Sequence, residues 1–378
     1  MANGRRGHGE GSIFQRKTDG RWIGQADLGW SEGKRKRRFV TGTSRKDVQE
    51  RLANLVREHQ LGLLPKGGKV TTGAFLQSWL DEIATPRVRP STLQRYRELT
   101  AHWSDLNRIP LEKVSASDVQ RVLNAKSKQM AARTVHHMRS VLRTALNAAL
   151  RRQLITRNAA SLADPPRVVR AELAVLTEGQ ASALLTAIKG GPLESLVKIA
   201  LSLGLRRGEA LGLRWCDVDL EVGILRVSHA LQRINKKQLL VEPKSSTSRR
   251  TILLPAVALE ALRGHRKAQV AERIRLGELW LGASWDLVFC NGYGLPLEGT
   301  NVTRSFQAIV KTAGLPRMRF HDLRHSCATL LLVQGVPARA VMELLGHSDI
   351  HLTLGTYSHV VPALQRQTAD AMDRALGG

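Results

Sequence analysis

Arginines, histidines and one tyrosine recur in short, separated segments of the chain's second half, and each segment has a chemistry of its own. In Gly204-Leu205-Arg206-Arg207-Gly208-Glu209 the pattern ends one helix and starts another, so Arg206 stands at a corner. A planar guanidinium there can grip two non-bridging oxygens of a phosphodiester, and Glu209, three residues on, can hold that fork in place. Taken alone, the local pattern favours a surface arginine in a helical ion pair. Downstream, His321-Asp322-Leu323-Arg324-His325 opens the apolar run from Ser326 to Val333. Positions i and i+3 share a helix face, so His321 and Arg324 can address one ligand. The same spacing occurs at His136 and Arg139 in an unrelated helix, so this motif is weak by itself. Read as a zinc pair, His321 and His325 lack the following glutamate and a third ligand, and Arg324 brings a repelling cation. Finally, Leu344-Leu345-Gly346-His347 is followed by Thr356-Tyr357-Ser358-His359. A phenol with a pKa of about 10 is a poor nucleophile at neutral pH. Two arginines and histidines packed around a phosphate would stabilise phenolate and the developing charge together. Singly, Tyr357 reads as a helix-packing tyrosine and His347 as a helix C-cap.

Composition says what such a site would act on. The chain of 378 residues carries 58 Lys and Arg against 32 Asp and Glu, a formal charge of +26. An excess of that size calls for a polyanionic partner, and a nucleic-acid backbone fits it better than an acidic membrane. Aromatic residues make up only 4%, which argues against the stacking platforms of single-strand binders. No apolar run of about eighteen residues occurs, and the polar, basic start from Met1 to Gly11 has no signal-peptide core. A soluble, intracellular protein is expected, with no membrane partner. Cys216, Cys290 and Cys327 are odd in number and widely spaced, so reduced thiols are expected rather than disulfides or a zinc cage.

The elements that must position these residues form a multidomain chain, mainly α with small β-sheets, as its length suggests. From Gly11 to Thr41 alternating segments broken at Thr18-Asp19-Gly20 and Gly29 to Gly33 predict a three-stranded meander. An amphipathic helix follows Ser44, with Val48, Leu52, Leu55 and Val56 on one face. The run Lys34-Arg35-Lys36-Arg37-Arg38 puts charge on both faces of the last strand. One face of this sheet is expected to lie on DNA; a solvated edge strand guarded by Lys and Arg is the plainer alternative. After the break Pro65 to Lys69, residues 71 to 158 predict a four-helix unit: Thr72 to Ile83, Ser91 to His102, Ser117 to Ser127 and Thr134 to Arg152. The last helix sets Arg133, Arg139 and Arg143, with His136 and His137, around the apolar stripe Val135, Met138, Val141, Leu142 and Leu146, which suits groove or phosphate contact as well as a solvated face. Asn158 to Arg170, with Asp164-Pro165-Pro166, reads as a linker. A mixed α+β domain then opens at the capping box Thr177-Glu178-Gly179-Gln180. The divisions are 1–65, 71–163 and 172–378.

In order and context these pieces resemble the tyrosine recombinases, phage integrases especially, over nearly the whole chain. The motifs are Gly-Leu-Arg206-Arg-Gly-Glu209, Pro243-Lys244-Ser-Ser-Thr-Ser-Arg-Arg in a hairpin, His321-Asp-Leu-Arg324-His325, Leu-Leu-Gly346-His347 and Thr-Tyr357-Ser-His. Five separated motifs in one order are a specific match. Arg89-Pro90-Ser91-Thr92, Ile109-Pro110-Leu111 and Arg133-Thr134-Val135 resemble the family's core-site-binding domain, and the basic meander its arm-site-binding domain.

The resemblance implies that Tyr357 attacks the scissile phosphate, forming a 3′-phosphotyrosyl link and releasing a 5′-hydroxyl, with neither metal nor cofactor. It implies that Arg206 and Arg324 clamp the phosphate, Lys244 protonates the leaving oxygen, His321 serves as acid and base, His347 bonds the phosphate and Glu209 supports Arg206; His325 and His359 have supporting roles only. It further implies double-stranded attachment sites, a homotetramer, a Holliday-junction intermediate, an excision or directionality factor with a host DNA-bending protein as partners, and a cytoplasmic, nucleoid-associated place in a bacterial host cell. The segment from Pro362 to Leu376 is expected to dock on a neighbouring subunit. The rival readings are a resolvase-type recombinase, a type IB topoisomerase and a catalytically silent DNA-binding regulator.

Overall fold

The computed structural model describes residues 12–31, 34–60, 70–169, 174–243, 248–346, 372, 373 and 376, and the chain divides into two compact units, Met1–Val169 and Arg170–Gly378. Both are mainly helical with small antiparallel sheets.

The first unit begins with the meander: β1 (Ser12–Gln15), β2 (Trp22–Ser31) and β3 (Lys34–Gly42), hydrogen-bonded in that order. Strand alternation sends Ile13, Gly24, Ala26, Leu28 and Val40 to one face, where α1 (Arg45–Gln60) closes over them with Val48, Leu52, Leu55 and Val56. Ser44 caps that helix, its hydroxyl accepting from the Asp47 amide at 3.2 Å. The absence of a side chain at Gly24 lets α1 sit close, since a Cβ there would fall 2.9 Å from Val48. The opposite face carries Phe14, Ile23, Gln25, Asp27, Arg37 and Phe39 in cross-strand register.

The helical part contains α2 (Thr72–Ser78), α3 (Pro90–Ala101), α4 (Ala116–Ser127) and α5 (Ala132–Arg151). Trp79–Ala84 continues α2 as a π-turn, closed by the Thr85 amide reaching the Leu80 carbonyl at 3.0 Å. The apolar stripe of α5 is buried against Phe75, Trp79, Leu99, Trp103 and Leu123. The expected linker starts later than its composition suggests. Asn158 is buried, its amide donating to the Arg143 carbonyl at 2.9 Å and to Asn147 at 2.7 Å, and Ala159, Ala160 and Ala163 enter the bundle core. The Gln120 side chain holds the Asp164 backbone through both its carbonyl and its amide. Small alanines break the helical period yet fill space between helices, so residues 158–164 belong to the bundle.

In the second unit, α6 (Glu178–Ala187), α7 (Glu194–Leu203) and α8 (Arg207–Leu211) precede a sheet of β4 (Val218–Asp219), β5 (Ile224–Val227) and β8 (Arg250–Leu253). Between β5 and β8 lies a separate hairpin of β6 (Ala230–Ile234) and β7 (Lys237–Val241). Its turn uses positive φ at Asn235 (49°) and Lys236 (65°), as a tight two-residue hairpin requires. Strand β6 is not evident from the sequence; it is pinned by Gly212, where a Cβ would meet the Leu231 amide nitrogen at 2.5 Å. Then follow α9 (Ala256–Leu276), α10 (Gly299–Thr312), α11 (Asp322–Val333) and α12 (Ala338–Leu345). Leu184, Val197, Ala200, Leu225, Ile252, Leu262, Phe306, Phe320 and Leu323 form one continuous core beneath sheet and helices. Among the described residues no helix is long and apolar enough to cross a membrane.

Candidate active site

Four helix ends and one strand carry the candidate residues of the second unit. Helix α7 stops because Gly204 turns left-handed, with φ of 58°. Only glycine suits this position twice over, since a Cβ would also collide with Leu345 of α12 and press on Cys327 of α11. The turn presents the Gly204 carbonyl to Arg324, whose Nη1 donates to it at 2.8 Å. Arg324 is 2% exposed, and so is a guanidinium built into the unit rather than laid on its surface.

Two residues after Gly204, Arg206 takes extended backbone as the N-cap of α8. Its Nη1 donates to Glu209 Oε1 at 2.6 Å, its amide to Glu209 Oε2 at 3.1 Å, and its Nη2 to the Gly346 carbonyl at 3.2 Å. The side chain remains 37% exposed, so it is fixed at one edge and open at the other. Glu209 is buried, and its second oxygen accepts from Arg250 Nη2 at 3.1 Å. Burial pushes the Glu209 carboxyl up, but the Arg250 and Arg206 guanidiniums outweigh it and hold the group below its ordinary value. Glu209 therefore stays ionised and ties two arginines into one rigid unit. Helix α12 ends at a second left-handed glycine, Gly346, φ 66°, which supplies the carbonyl that Arg206 uses.

His321 caps α11, three residues before Arg324. It retains an exposed face, yet desolvation of the ring among its neighbours, reinforced by His325, Arg324 and Arg319, pushes its pKa down to about 4. Asp322 alone pulls the other way, and its carboxylate is engaged by Arg319, the backbone amide at 2.6 Å and Nη2 at 2.7 Å. His321 is therefore a neutral imidazole at neutral pH, able to accept a proton. His325 lies edge-on to it with ring centroids 5.3 Å apart, and its pKa is lowered by burial as well. With Asp322 taken up by Arg319, no third ligand joins the two histidines among the described residues.

Among the described residues, Arg206 is bonded to Glu209, and Arg324, three residues after His321, donates to the Gly204 carbonyl two residues before Arg206. Lys244, His347, Tyr357 and residues 362–371 of the expected docking segment lie outside the described residues. Arg250 is the residue that the motifs do not single out. It stands in the quoted Arg-Arg pair, but nothing in that pair separates a solvated basic residue from one that is 8% exposed and bonded to Glu209.

The expected DNA-contacting residues fall in the first unit. Arg35 and Arg37 lie on the open face of the meander, Arg35 paired with Asp27 at 2.5 Å, while Arg38 approaches Glu112 at 3.7 Å. Lys34 and Lys36 belong to β3, their side chains outside the described residues. On α5, Arg133 and Arg143 are exposed; Arg139 is partly buried, donating to the Ser161 carbonyl at 3.1 Å. Arg139 thus has a structural task in holding the turn after α5.

Because the folded-state pKa of His321 is depressed, the folded protein resists its protonation. Stability is whole above the ordinary histidine value and declines as pH falls from about 6.5 toward 4. In an imidazole NMR titration of the DNA-free protein, His321 should remain neutral down to pH of about 5; a midpoint at the ordinary value would contradict this environment.

The chain resembles known proteins in sequence and in fold. The phage integrase family matches residues 174–363. An integrase of Streptomyces ambofaciens is 30% identical over 392 residues, covering 98% of this chain and 97% of its own. A XerC-like tyrosine recombinase of Caldanaerobacter subterraneus subsp. tengcongensis is 27% identical, covering 90% and 92% respectively. Among solved structures, the Tn1549 transposon integrase in complex with a circular intermediate DNA shares the fold with a TM-score of 0.66 at 23% identity, covering 79% of this chain and 99% of that one. The chain accordingly belongs to the phage integrase family of tyrosine recombinases, enzymes that cleave and rejoin DNA.

Proposed function

We propose that this integrase cuts attachment-site DNA with Tyr357, and that Arg206, Arg324, His321, Lys244 and His347 act on the same phosphate. The observation that carries this reading is the geometry of Arg206: backed by buried Glu209, it leaves one edge open beside the corner where Arg324 and His321 are set. In the first step the Tyr357 hydroxyl oxygen bonds to phosphorus and the bond to the 5′ oxygen breaks. Neutral His321 takes the phenolic proton, and Lys244 supplies a proton to the leaving oxygen. Arg206 and Arg324 neutralise the charge that gathers on the non-bridging oxygens, and His347 adds a hydrogen bond. The phosphotyrosyl link conserves the bond energy, so a partner strand's 5′-hydroxyl reverses the step without nucleotide or metal.

Exchange between two duplexes cuts four strands, and one tyrosine per strand calls for four protomers, with a Holliday junction between the two rounds of cleavage. The division of labour assigns residues 71–163 to core sites, with Arg133 and Arg143 on exposed positions of α5. Residues 1–65 take arm sites, where the open sheet face sets Arg35 and Arg37 among Phe14, Gln25 and Phe39. Lys34, Lys36, Arg38 and Arg139 supplement these surfaces. A directionality factor and a host bending protein complete the set of partners, and the element moved is a phage or other mobile element in a bacterial cell.

The direct test is trapping on a nicked core-site duplex whose short 5′ fragment diffuses away after cleavage, with EDTA present. Wild type should give a denaturation-resistant protein-DNA adduct and Tyr357→Phe none. Adducts from both would place the nucleophile elsewhere, and a shift in gel mobility without any adduct would mark a silent binder. Removing residues 1–65 should leave core-site cleavage measurable while abolishing arm-site binding; unchanged integration after that truncation would overturn the domain assignment.

A further inference from the structure

Arg250 joins three of the separated motifs through its hydrogen bonds. Its Nη2 donates to Glu209 Oε2 at 3.1 Å, its Nε to the Leu344 carbonyl at 2.6 Å, and its Nη1 to the Ser248 carbonyl at 3.2 Å. Through Glu209 it reaches Arg206; through Leu344 it reaches the end of α12, three residues before His347; through Ser248 and its own place at the start of β8 it reaches the segment that carries Lys244. A planar guanidinium has donors on several edges in fixed directions, which a flexible ammonium cannot reproduce. At 8% side-chain exposure Arg250 has no room to turn toward solvent or DNA.

We infer that Arg250 is a positioning residue for strand cleavage, a strut that sets the Glu209-held edge of Arg206 and ties it to the last turn of α12 and the start of β8. Its action is indirect, because it is buried and each of its three nitrogens donates within the protein, to Glu209, Leu344 and Ser248. The inference rests on the cleavage chemistry proposed above.

Two consequences distinguish this role from mere stabilisation. The first concerns rate against binding. Losing the strut should misplace the phosphate clamp without removing any DNA-facing charge, so cleavage falls while affinity holds. The second concerns pH. Within the site Glu209 is faced by two cations, Arg206 of the α8 corner and Arg250 of β8, which oppose the effect of its burial. With Arg250 gone, one guanidinium remains against the same burial, so Glu209 takes up a proton at higher pH. Protonated Glu209 releases its charge-assisted grip on Arg206, and cleavage acquires an acid limb displaced toward neutrality.

The experiment is single-turnover cleavage of the nicked core-site duplex at saturating full-length protein, across pH, for wild type, Arg250→Met and Arg250→Lys. Arg250→Met, which keeps much of the packing, should cleave about 100-fold more slowly, the loss typical of a misplaced reacting group, with core-site affinity changed by less than about 3-fold and the acid limb moved up in pH. Arg250→Lys should restore the position of the limb, since it returns a cation, but only part of the rate, since its single nitrogen cannot reach the three acceptors in the directions the guanidinium does. Wild-type rate and pH profile in a folded Arg250→Met would overturn the inference. If Arg250→Met does not fold, Arg250→Lys carries the test, and full wild-type rate in that variant would overturn it equally. Failure of the wild type itself to form a tyrosine adduct would instead defeat the proposed chemistry.

Discussion

A single buried carboxylate organises the candidate active site. Glu209 lies between Arg206 and Arg250 and accepts from both, while its own burial opposes its charge. Such an arrangement is costly to desolvate and is not a strong source of stability by itself. Its value is geometric. Ionised Glu209 fixes one edge of Arg206 so that the remaining edge is presented in one direction, and a site that must stabilise charge in a transition state gains from donors already in place. Removing either guanidinium would leave a buried charge with half its compensation, a loss of about 3–5 kcal/mol where such pairs are broken.

Around that carboxylate, helix ends do the remaining placement. Arg324, Arg206 and Arg250 each donate to a carbonyl at the C-terminal end of a helix: Gly204 after α7, Gly346 after α12 and Leu344 within its last turn. Carbonyls at such ends lack intrahelical partners and carry partial negative charge, so they are suited to cationic side chains. Left-handed glycines at 204 and 346 make the carbonyls available, and Leu345 of α12 packs where a Cβ on Gly204 would stand. The opposite polarity governs α11. Asp322 in its first turn satisfies the N-terminal charge and binds Arg319, while His321 beside it is kept neutral by burial and by the cations around it. One corner of the fold thus holds fixed cations beside an uncharged imidazole.

What the sequence discloses follows the reach of each interaction. Arg206 with Glu209, and His321 with Arg324, stand three residues apart, so the local geometry of a helix start brings each pair together. The meander, the stripe of α5 and the capping box at Thr177 are legible for the same reason, because period and local hydrogen bonding decide them. Arg250 is not, because the two partners that tie it to other motifs lie 41 and 94 residues away and no local pattern distinguishes it from its neighbour Arg249. Residues 158–164 misread as linker because alanine and asparagine give no periodic signal, although Asn158 is hydrogen-bonded inside the bundle. Strand β6 escapes notice because it depends on close approach to Gly212, a tertiary contact.

The most direct measurement is an experimental structure of the Tyr357→Phe protein on a duplex bearing its own core site. The account predicts the scissile phosphate at the open edge of Arg206, its non-bridging oxygens shared with Arg324, His321 within hydrogen-bond reach of the position of the missing hydroxyl, and Glu209 still between Arg206 and Arg250. A phosphate seated away from Arg206 and Arg324, or an Arg206 that abandons Glu209 to reach it, would contradict the account.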